Sequence, residues 1–421
     1  MTTTLSQALE QIGQRAEAAS RILAQATTAT KNEALLAIAD RIEQETEAVL
    51  AANQDDLKAG SERGLSSAML DRARLDAKRI KAIAASVREV VNIADPVGEV
   101  LKQWSRPNGL QISRIRVPIG VIGIIYESRP NVTSDAASLC LKAGNAVILR
   151  GGSESSRSNI ALAEAVSRGC RDAGLPEHSV QLVPGTDRAA VTLMAQLDRY
   201  IHLIIPRGGR SLIEAVTSTA RMPVIKHFDG ICAVYVDRAA DFQMAQRIVV
   251  NAKCQRPGVC NAMETLLVHE EIARDFLPQC ADALWEHGVE LRGDALTQAI
   301  LGSKVRTVTE QDWSTEYLDL ILAIRTVGSL EDAIDHIGTY GSRHSDAIVT
   351  EDRAAAEKFL HQVDSAAVFW NASTRFNDGG EFGFGAEIGI STDRIHARGP
   401  MGVEELTTYK YVVEGTGQVR G

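Results

Sequence analysis

The alternation of short apolar segments with amphipathic helices, which begins near residue 118, constrains the fold of this chain more than any other feature. Helical patterns such as 155–173 and 210–220 separate most of the apolar segments. Because parallel strands need crossover helices, the alternation predicts βαβ units with helices on both faces of a sheet. Such sheets bind ligands at the carboxyl ends of their strands, beside helix N-termini that suit phosphates. The predicted strands are 119–125, 146–149, 180–183, 200–205 and 231–236.

The flanking regions carry different patterns. Apolar residues recur at helical spacing from residue 5 to about 100, which predicts helices there. Residues 110–117 alternate polar and apolar side chains, as in an edge strand that pairs with a partner subunit. A second α/β segment covers 264–369, a glycine-rich stretch with few strand signals covers 371–402, and 409–413 predicts one more strand. The clearest helical faces consist of Leu35, Ile38, Ile42 and Val49, and of Ile80, Ile83, Val87 and Val90.

Length and composition bound the class of protein. With 421 residues, of which 45% are hydrophobic and 24% charged, the chain is long enough for two or three domains. Its net charge of −9 gives no reason to expect a nucleic-acid or anionic-membrane partner. The most apolar stretch, Val117–Tyr126, is too short to cross a bilayer, and the first residues carry no signal-peptide pattern. We therefore expect a cytoplasmic protein.

The cysteines and histidines show no ligand spacing. Six cysteines and nine histidines are scattered without a CxxC, HxxxH or HxH motif. This argues against a zinc site and against a disulfide framework, and it fits a reducing compartment. From the sequence we expect no metal.

One cysteine stands out by its context. Cys260 follows Pro257-Gly258 in a segment between a helical pattern, 241–252, and an apolar run, 263–268. A cysteine at the end of an element has the partial access that thiolate chemistry requires. The alternative is a small apolar residue that fills a gap, as most single cysteines do.

Two predicted strand-to-helix turns carry an arginine followed by two glycines. Glycine lets the backbone approach a ligand closely, and arginine binds phosphate with its planar fork. Neither turn fits the GxGxxG or P-loop pattern, and ordinary tight turns with solvated arginines are the alternative. Two such turns on successive connections suggest a dinucleotide or a phosphorylated substrate. The turns are Arg150-Gly151-Gly152 and Arg207-Gly208-Gly209.

The loop 126–131 follows the first predicted strand of the sheet, where an active-site loop is expected. Asn131 can donate its amide to a developing oxyanion, and Arg129 can hold an anionic group. A solvated loop with an asparagine turn is an equal alternative. His227 also follows a strand and is a candidate acid or base, although single histidines are more often packed or solvated.

Five longer motifs together are specific. In combination they resemble the gamma-glutamyl phosphate reductase family of the aldehyde dehydrogenase superfamily, over nearly the whole length of the chain. The motifs are Val117-Pro-Ile-Gly-Val121, Tyr126-Glu-Ser-Arg-Pro-Asn131, Lys142-Ala-Gly-Asn-Ala-Val-Ile-Leu-Arg150, Gln255-Arg-Pro-Gly-Val-Cys-Asn261 and His396-Ala-Arg-Gly-Pro-Met-Gly402.

The resemblance implies an α/β fold of the aldehyde-dehydrogenase type. A Rossmann-type NADP-binding domain would comprise 1–100 and 118–228, and an α/β catalytic domain would comprise 229–408. A small oligomerisation arm would join 101–117 to 409–421. A homodimer or a larger homo-oligomer is expected, and contact with glutamate 5-kinase is a further possibility.

The resemblance also implies site residues. Cys260 would be the nucleophile and Asn131 the oxyanion donor, while Glu316 would orient the nicotinamide ribose. Arg150 would lie near the adenosine ribose and its 2′-phosphate. The remaining cofactor candidates are Gly151, Gly152, Gly208 and Gly209, and the substrate candidates are Ser128, Arg129, Lys226, Arg256 and Arg375.

The activity implied is reduction of L-glutamyl 5-phosphate by NADPH, through a cysteine thioester, to L-glutamate 5-semialdehyde and phosphate. Aldehyde-oxidising relatives carry a water-activating glutamate before the catalytic segment, whereas 224–230 contains none. Two alternatives remain: a hydrolytic aldehyde dehydrogenase, which this absence disfavours, and a scaffold that has lost catalysis.

Overall fold

The computed structural model describes residues 2–420, leaving out the side chains of residues 2–4 and 68. These residues form two compact units. Unit 1 contains the chain up to Lys226, Gly383–Gly389 and the chain from Met401 on. Unit 2 contains His227–Phe382 and Ile390–Pro400.

Unit 1 begins with helices and continues with alternating strands and helices. The helices are α1 (Thr2–Leu23), α2 (Thr28–Gln44), α3 (Thr46–Glu62), α4 (Ser67–Ala73) and α5 (Ala77–Val91). Then follow β1 (Val100–Ser105), β2 (Gln111–Pro118), β3 (Val121–Tyr126), α6 (Val132–Lys142), β4 (Ala146–Gly151), α7 (Ser156–Asp172), β5 (Val180–Leu182), α8 (Ala189–Ala195), β6 (Leu203–Arg207) and α9 (Arg210–Thr219).

A four-stranded sheet forms the centre of unit 1. Its order is β5-β4-β3-β6, and all its pairs are parallel. All six residues of β3 are buried, as expected of a strand covered on both faces. The predicted helical faces pack inward as well, since Leu35, Ile38, Ile42 and Val49 are fully buried. The predicted parallel α/β architecture is confirmed.

Unit 2 contains a second run of alternating elements. They are β7 (Cys232–Val236), α10 (Phe242–Cys254), β8 (Met263–His269), α11 (Glu270–Glu286), β9 (Glu290–Gly293), α12 (Ala295–Leu301), β10 (Arg306–Thr307), β11 (Ile321–Val327), α13 (Leu330–Tyr340), β12 (Ser345–Val349), α14 (Arg353–Gln362) and β13 (Ala367–Trp370). The stretch 371–402 adds only two three-residue strands, β14 (Gly389–Ser391) and β15 (Gly399–Met401).

The large sheet of unit 2 has seven strands in the order β10-β9-β11-β8-β7-β12-β13, all of them parallel. Strands β7, β8 and β12 are buried along their whole length. Apolar residues of α10 and α11, among them the fully buried Phe276, pack in one core cluster with residues of this sheet. The three buried strands are neighbours, and their amino ends therefore lie side by side.

The last strand, β16 (Thr407–Glu414), returns to unit 1. It pairs antiparallel with β2, which also pairs antiparallel with β1, giving a three-stranded sheet. The two segments predicted to join as an arm are therefore paired. The compact units divide the chain differently from the predicted domains, because Gly383–Gly389 belongs to unit 1, where Gly385 lies against Ile93.

Candidate active site

Cys260 lies in unit 2, in the short segment between α10 and β8. Its segment turns tightly, with the amide of Ala262 donating to the carbonyl of Val259 at 3.0 Å. Cys260 is half-buried, as is Cys254, whereas Cys140, Cys170, Cys232 and Cys280 are buried. The predicted location at an element end, with partial access, is confirmed.

A close backbone contact fixes the cysteine segment. A β-carbon added to Gly230 would lie 1.9 Å from the carbonyl oxygen of Cys260, so only glycine fits there. The thiol of buried Cys232 donates to the same carbonyl oxygen, at 3.2 Å. Burial raises the pKa of Cys232 well above its usual value, so this thiol remains a donor.

Two imidazoles lie beside the Cys260 thiol. The Cys260 Sγ and one ring nitrogen each of His227 and His344 lie within 4.8 Å of one another. The two rings meet edge to face, with centroids 5.5 Å apart. The Nδ1–H of His227 donates to the carbonyl of Ile390 at 2.8 Å. A carbonyl only accepts, so the lone pair of neutral His227 lies on Nε2.

These three side chains lie at the amino ends of neighbouring parallel strands. His227 precedes β7, Cys260 precedes β8, and His344 immediately precedes β12. The sequence-based expectation placed ligands at the carboxyl ends of the strands, whereas this cluster lies at the amino ends. The cluster lies at the amino ends because the segments that lead into the strands supply its side chains. The order of the strands in the sheet brings these segments together.

Sequence reasoning proposed His227 only as one candidate acid or base and did not identify His344. The spacing of 84 residues between Cys260 and His344 carries no local signal. The adjacency of β7 and β12, which the structure shows, is what brings His344 to the cysteine segment.

Arg375 is held against the residue that follows Cys260. Its guanidinium bonds to Asn261 Oδ1, and its Nε donates to Gln255 Oε1 at 2.8 Å. Thr374 Oγ1 donates to the carbonyl of Asn261 at 2.7 Å. Burial, with the positive charge of Arg256 nearby, lowers the pKa of Arg375. The structure therefore brings two predicted substrate residues, Arg256 and Arg375, to the cysteine segment.

Glu316 reaches the same region from the segment before β11. Its carboxylate accepts the backbone N–H of Gly230, and burial raises its pKa. The segment is anchored two residues later, where the amide of Leu318 donates to Glu264 at 3.4 Å. Glu264 forms a buried ion pair with Lys253 at 2.6 Å. Burial raises the pKa of Glu264 to about 7 although the ammonium group opposes the shift.

The other predicted residues lie in unit 1, around the carboxyl ends of its strands. After β3, Ser128 donates through its hydroxyl to Glu154 at 2.9 Å, and its backbone is in the left-handed region. Arg129 is exposed, while Asn131 donates its side-chain amide to Asp135 at 2.8 Å. Lys226 is half-buried at the end of unit 1.

Arg150 is buried at the end of β4. Its guanidinium donates to the carbonyls of Gly151, Thr186 and Asp187, at 2.5, 3.2 and 3.2 Å. A β-carbon on Gly151 would lie 2.1 Å from the side-chain amide nitrogen of Asn159. Close packing therefore accounts for glycine at this position. Gly152 similarly lies against Glu154.

The second glycine pair lies at the N-terminus of α9. The amide of Gly209 donates to the carboxylate of Glu127 at 3.0 Å, and Gly208 lies against the same side chain. An anion therefore occupies the end of a helix where the backbone amides favour negative charge.

Comparison with known proteins agrees with this architecture. The model of the aldehyde dehydrogenase family matches residues 2–307. A gamma-glutamyl phosphate reductase of Moorella thermoacetica is 61% identical over 408 residues, 97% of each chain. One from Clostridium botulinum is 54% identical, covering 97% of this chain and 98% of that protein.

The crystal structure of a gamma-glutamyl phosphate reductase from Thermotoga maritima has a TM-score of 0.96 at 48% identity, covering 98% of this chain and 100% of that one. The chain therefore belongs to the aldehyde dehydrogenase family and has its fold. Within that family, its sequence similarity is to gamma-glutamyl phosphate reductases. Among the described residues, the helices are too short or too polar to span a bilayer.

Replacing Gly230 by alanine should displace the Cys260 segment. We expect the free energy of unfolding to fall by roughly 1–3 kcal/mol, the usual cost of overpacking. The rate of Cys260 alkylation by iodoacetamide should change as well, since the carbonyl it contacts must move. Denaturant unfolding and peptide mass spectrometry measure the two effects. Gly338→Ala, which adds a β-carbon in open space on α13, is the control. Equal behaviour of the two variants would contradict the close contact.

Proposed function

We propose that this protein reduces L-glutamyl 5-phosphate to L-glutamate 5-semialdehyde and inorganic phosphate with NADPH, a step of proline biosynthesis. The observation that carries the proposal is the half-buried Cys260 thiol beside two imidazoles. It occurs in a chain similar over 97% of its length to gamma-glutamyl phosphate reductases.

In the proposed first step, the Cys260 thiolate attacks the carbonyl carbon of the acyl phosphate. The carbon–sulfur bond forms, the carbon–oxygen bond to phosphate breaks, and a thioester remains. Asn131 would donate to the oxyanion that develops between these events. The positive charges of Arg256 and Arg375, which lie near Cys260, would stabilise the departing phosphate.

His227 is suited to accept the thiol proton. Its Nδ1–H is committed to the carbonyl of Ile390, so the Nε2 lone pair is the basic position. The proton taken from Cys260 would pass to the leaving phosphate oxygen, which balances the step. His227 stands in the stretch 224–230, which contains no glutamate. The absence of that glutamate favours keeping the thioester for reduction.

The dinucleotide would bind through unit 1. NADPH, when bound, would supply the hydride that reduces the thioester to the aldehyde and releases the Cys260 thiolate. The Gly209 amide at the N-terminus of α9 already donates to the Glu127 carboxylate, so this helix end suits a phosphate of the cofactor. Gly151, Gly152, Gly208 and Gly209 would let the cofactor approach the backbone of these turns, and Glu316 would orient the nicotinamide ribose.

The preference for NADPH over NADH was predicted to come from Arg150. Because its guanidinium donates to three backbone carbonyls, contact with a 2′-phosphate would replace at least one of these bonds. The role of Arg150 stays a prediction, as do those of Ser128, Arg129 and Lys226 toward the substrate.

We also propose that the chain forms a homo-oligomer through the sheet of β1, β2 and β16. Large side chains are exposed on β16, where Tyr409, Tyr411 and Val413 are 48%, 55% and 54% accessible. Trp104 on β1 contacts Tyr411 edge to face. A surface of this kind favours burial against another subunit. Contact with glutamate 5-kinase stays a prediction.

Cys260→Ser tests the nucleophile. We expect phosphate-dependent oxidation of glutamate semialdehyde, followed as NADPH formation, to fall roughly a thousandfold or more. Cys254→Ser, at the other half-buried cysteine, should retain turnover. Without phosphate, the wild-type enzyme should form glutamate slowly. Full activity of Cys260→Ser, or rapid hydrolysis without phosphate, would reject the proposed reaction.

His227→Gln tests the proton acceptor. We expect kcat/KM to fall by about 10²–10⁴, and the alkylation of Cys260 in the absence of substrate should slow as well. A purely structural change would not slow both in the same proportion. His361→Gln, at an exposed histidine of α14, is the control. An unchanged alkylation rate in His227→Gln would show that another group ionises the thiol.

Glu127→Gln tests the proposed phosphate position. Because the carboxylate competes for the amide of Gly209, its neutralisation should tighten NADPH binding by about two- to fivefold. Fluorescence titration with NADPH and NADH measures the effect. Glu177→Gln, at an exposed glutamate, is the control. Equal affinities in wild type and Glu127→Gln would place the cofactor phosphates elsewhere.

A further inference from the structure

The cluster of Cys260, His227 and His344 contains the ligand types of a transition-metal site. Each residue offers one ligand atom, and the three atoms lie within 4.8 Å of one another. A tetrahedral zinc ion, with Zn–S of about 2.3 Å and Zn–N of about 2.0 Å, separates its ligands by roughly 3.3–3.6 Å. The cluster is therefore close in size to such a coordination sphere.

The surroundings of the rings resemble the outer contacts of metal ligands. His227 donates from Nδ1 to the carbonyl of Ile390, which directs its lone pair to Nε2. The Nδ1 of His344 lies 2.8 Å from Ser345 Oγ and 3.7 Å from Cys232 Sγ. Contacts of this kind fix the ring orientation and the tautomer of ligating histidines. His344 is fully buried, whereas Cys260 and His227 are half-buried, so an ion would enter from their side.

The ligand set selects the metal. One thiolate and two imidazoles suit a borderline-soft ion such as Zn²⁺ and do not suit Mg²⁺ or Ca²⁺, which prefer oxygen. Three protein ligands leave a fourth position for water, as in sites that are not purely structural. Nearby charges act on a bound cation in opposite directions. Arg256 and Arg375 repel it. Glu316, which interacts electrostatically with His344, attracts it.

We propose that Cys260, His227 and His344 form a reversible Zn²⁺ site that blocks the nucleophile. On binding, the Cys260 thiol releases its proton to solvent and its sulfur coordinates the ion, with no change of oxidation state. The bound ion occupies the lone pairs of the thiolate and of His227, so neither can take part in thioester formation. Metal binding itself does not depend on the proposed reaction, because it requires no substrate.

The experiment uses the full-length, reduced protein, stripped of metal. With Co²⁺ as the probe, wild type should show thiolate-to-cobalt charge-transfer absorption that Zn²⁺ abolishes by displacement. Cys260→Ser should lose this absorption, and Cys254→Ser should keep it. In competition titrations, His227→Gln and His344→Gln should weaken Zn²⁺ binding by roughly tenfold or more, while His361→Gln should not. Thermal melts establish that each variant is folded.

A measurement on wild type alone covers the case in which a variant does not fold. Saturating Zn²⁺ should protect Cys260, but not Cys254, from iodoacetamide, and a chelator should restore the alkylation rate. Zn²⁺ should also inhibit turnover reversibly. An unprotected Cys260, or equal Zn²⁺ affinity in wild type and Cys260→Ser, would overturn the site. A lack of turnover in metal-free wild type would reject the proposed function and leave the binding result standing.

Discussion

The candidate active site depends on one backbone contact, that between Gly230 and the carbonyl of Cys260. A side chain at position 230 would overlap this carbonyl, so the contact requires glycine. The carbonyl also accepts the Cys232 thiol, and the N–H of Gly230 is bound by Glu316. One glycine thus holds the thiol segment, the start of β7 and the segment of Glu316 in a common geometry. The contact therefore fixes the backbone from which the Cys260 side chain extends.

Polar groups behind the cysteine reinforce this geometry. Asn261 donates to the carbonyl of Asn377 and accepts from Arg375, so the segment after Cys260 is tied to 374–377. The buried pair Lys253–Glu264 binds the amide of Leu318 and so anchors the segment of Glu316. A buried ion pair of this kind contributes little net stability compared with apolar packing, while loss of one partner is costly. Its value here lies in holding two segments at fixed separation beside the thiol.

The fold could be read from the sequence because its signals are local. The apolar runs 119–125, 146–149 and 231–236 predicted β3, β4 and β7 close to their observed bounds. The strand predicted at 200–205 begins instead at Leu203, because Tyr200 and Ile201 are buried in the turn that precedes it. The partial access of Cys260 could be predicted as well, because Pro-Gly ends a helix in a recognisable way.

The histidine cluster could not be predicted in the same way. His344 lies next to Cys260 only because β12 pairs with β7 and β7 pairs with β8, and this order is not encoded in residue spacing. For the same reason, a search for HxxxH or CxxC motifs finds no ligand set. The Glu127 carboxylate at the N-terminus of α9 was also missed, because that contact joins residues 82 positions apart.

The chemistry that suits the proposed reaction also suits a metal ion. A thiol that gives its proton to a neighbouring imidazole presents two soft or borderline donors with available lone pairs, and Zn²⁺ binds such donors. The imidazole that would accept a proton in the proposed reaction is therefore also a potential metal ligand. Arg256 and Arg375, whose charges suit a departing phosphate, oppose the cation electrostatically. The same positive field would thus assist the reaction and limit the occupancy of the inhibitory ion.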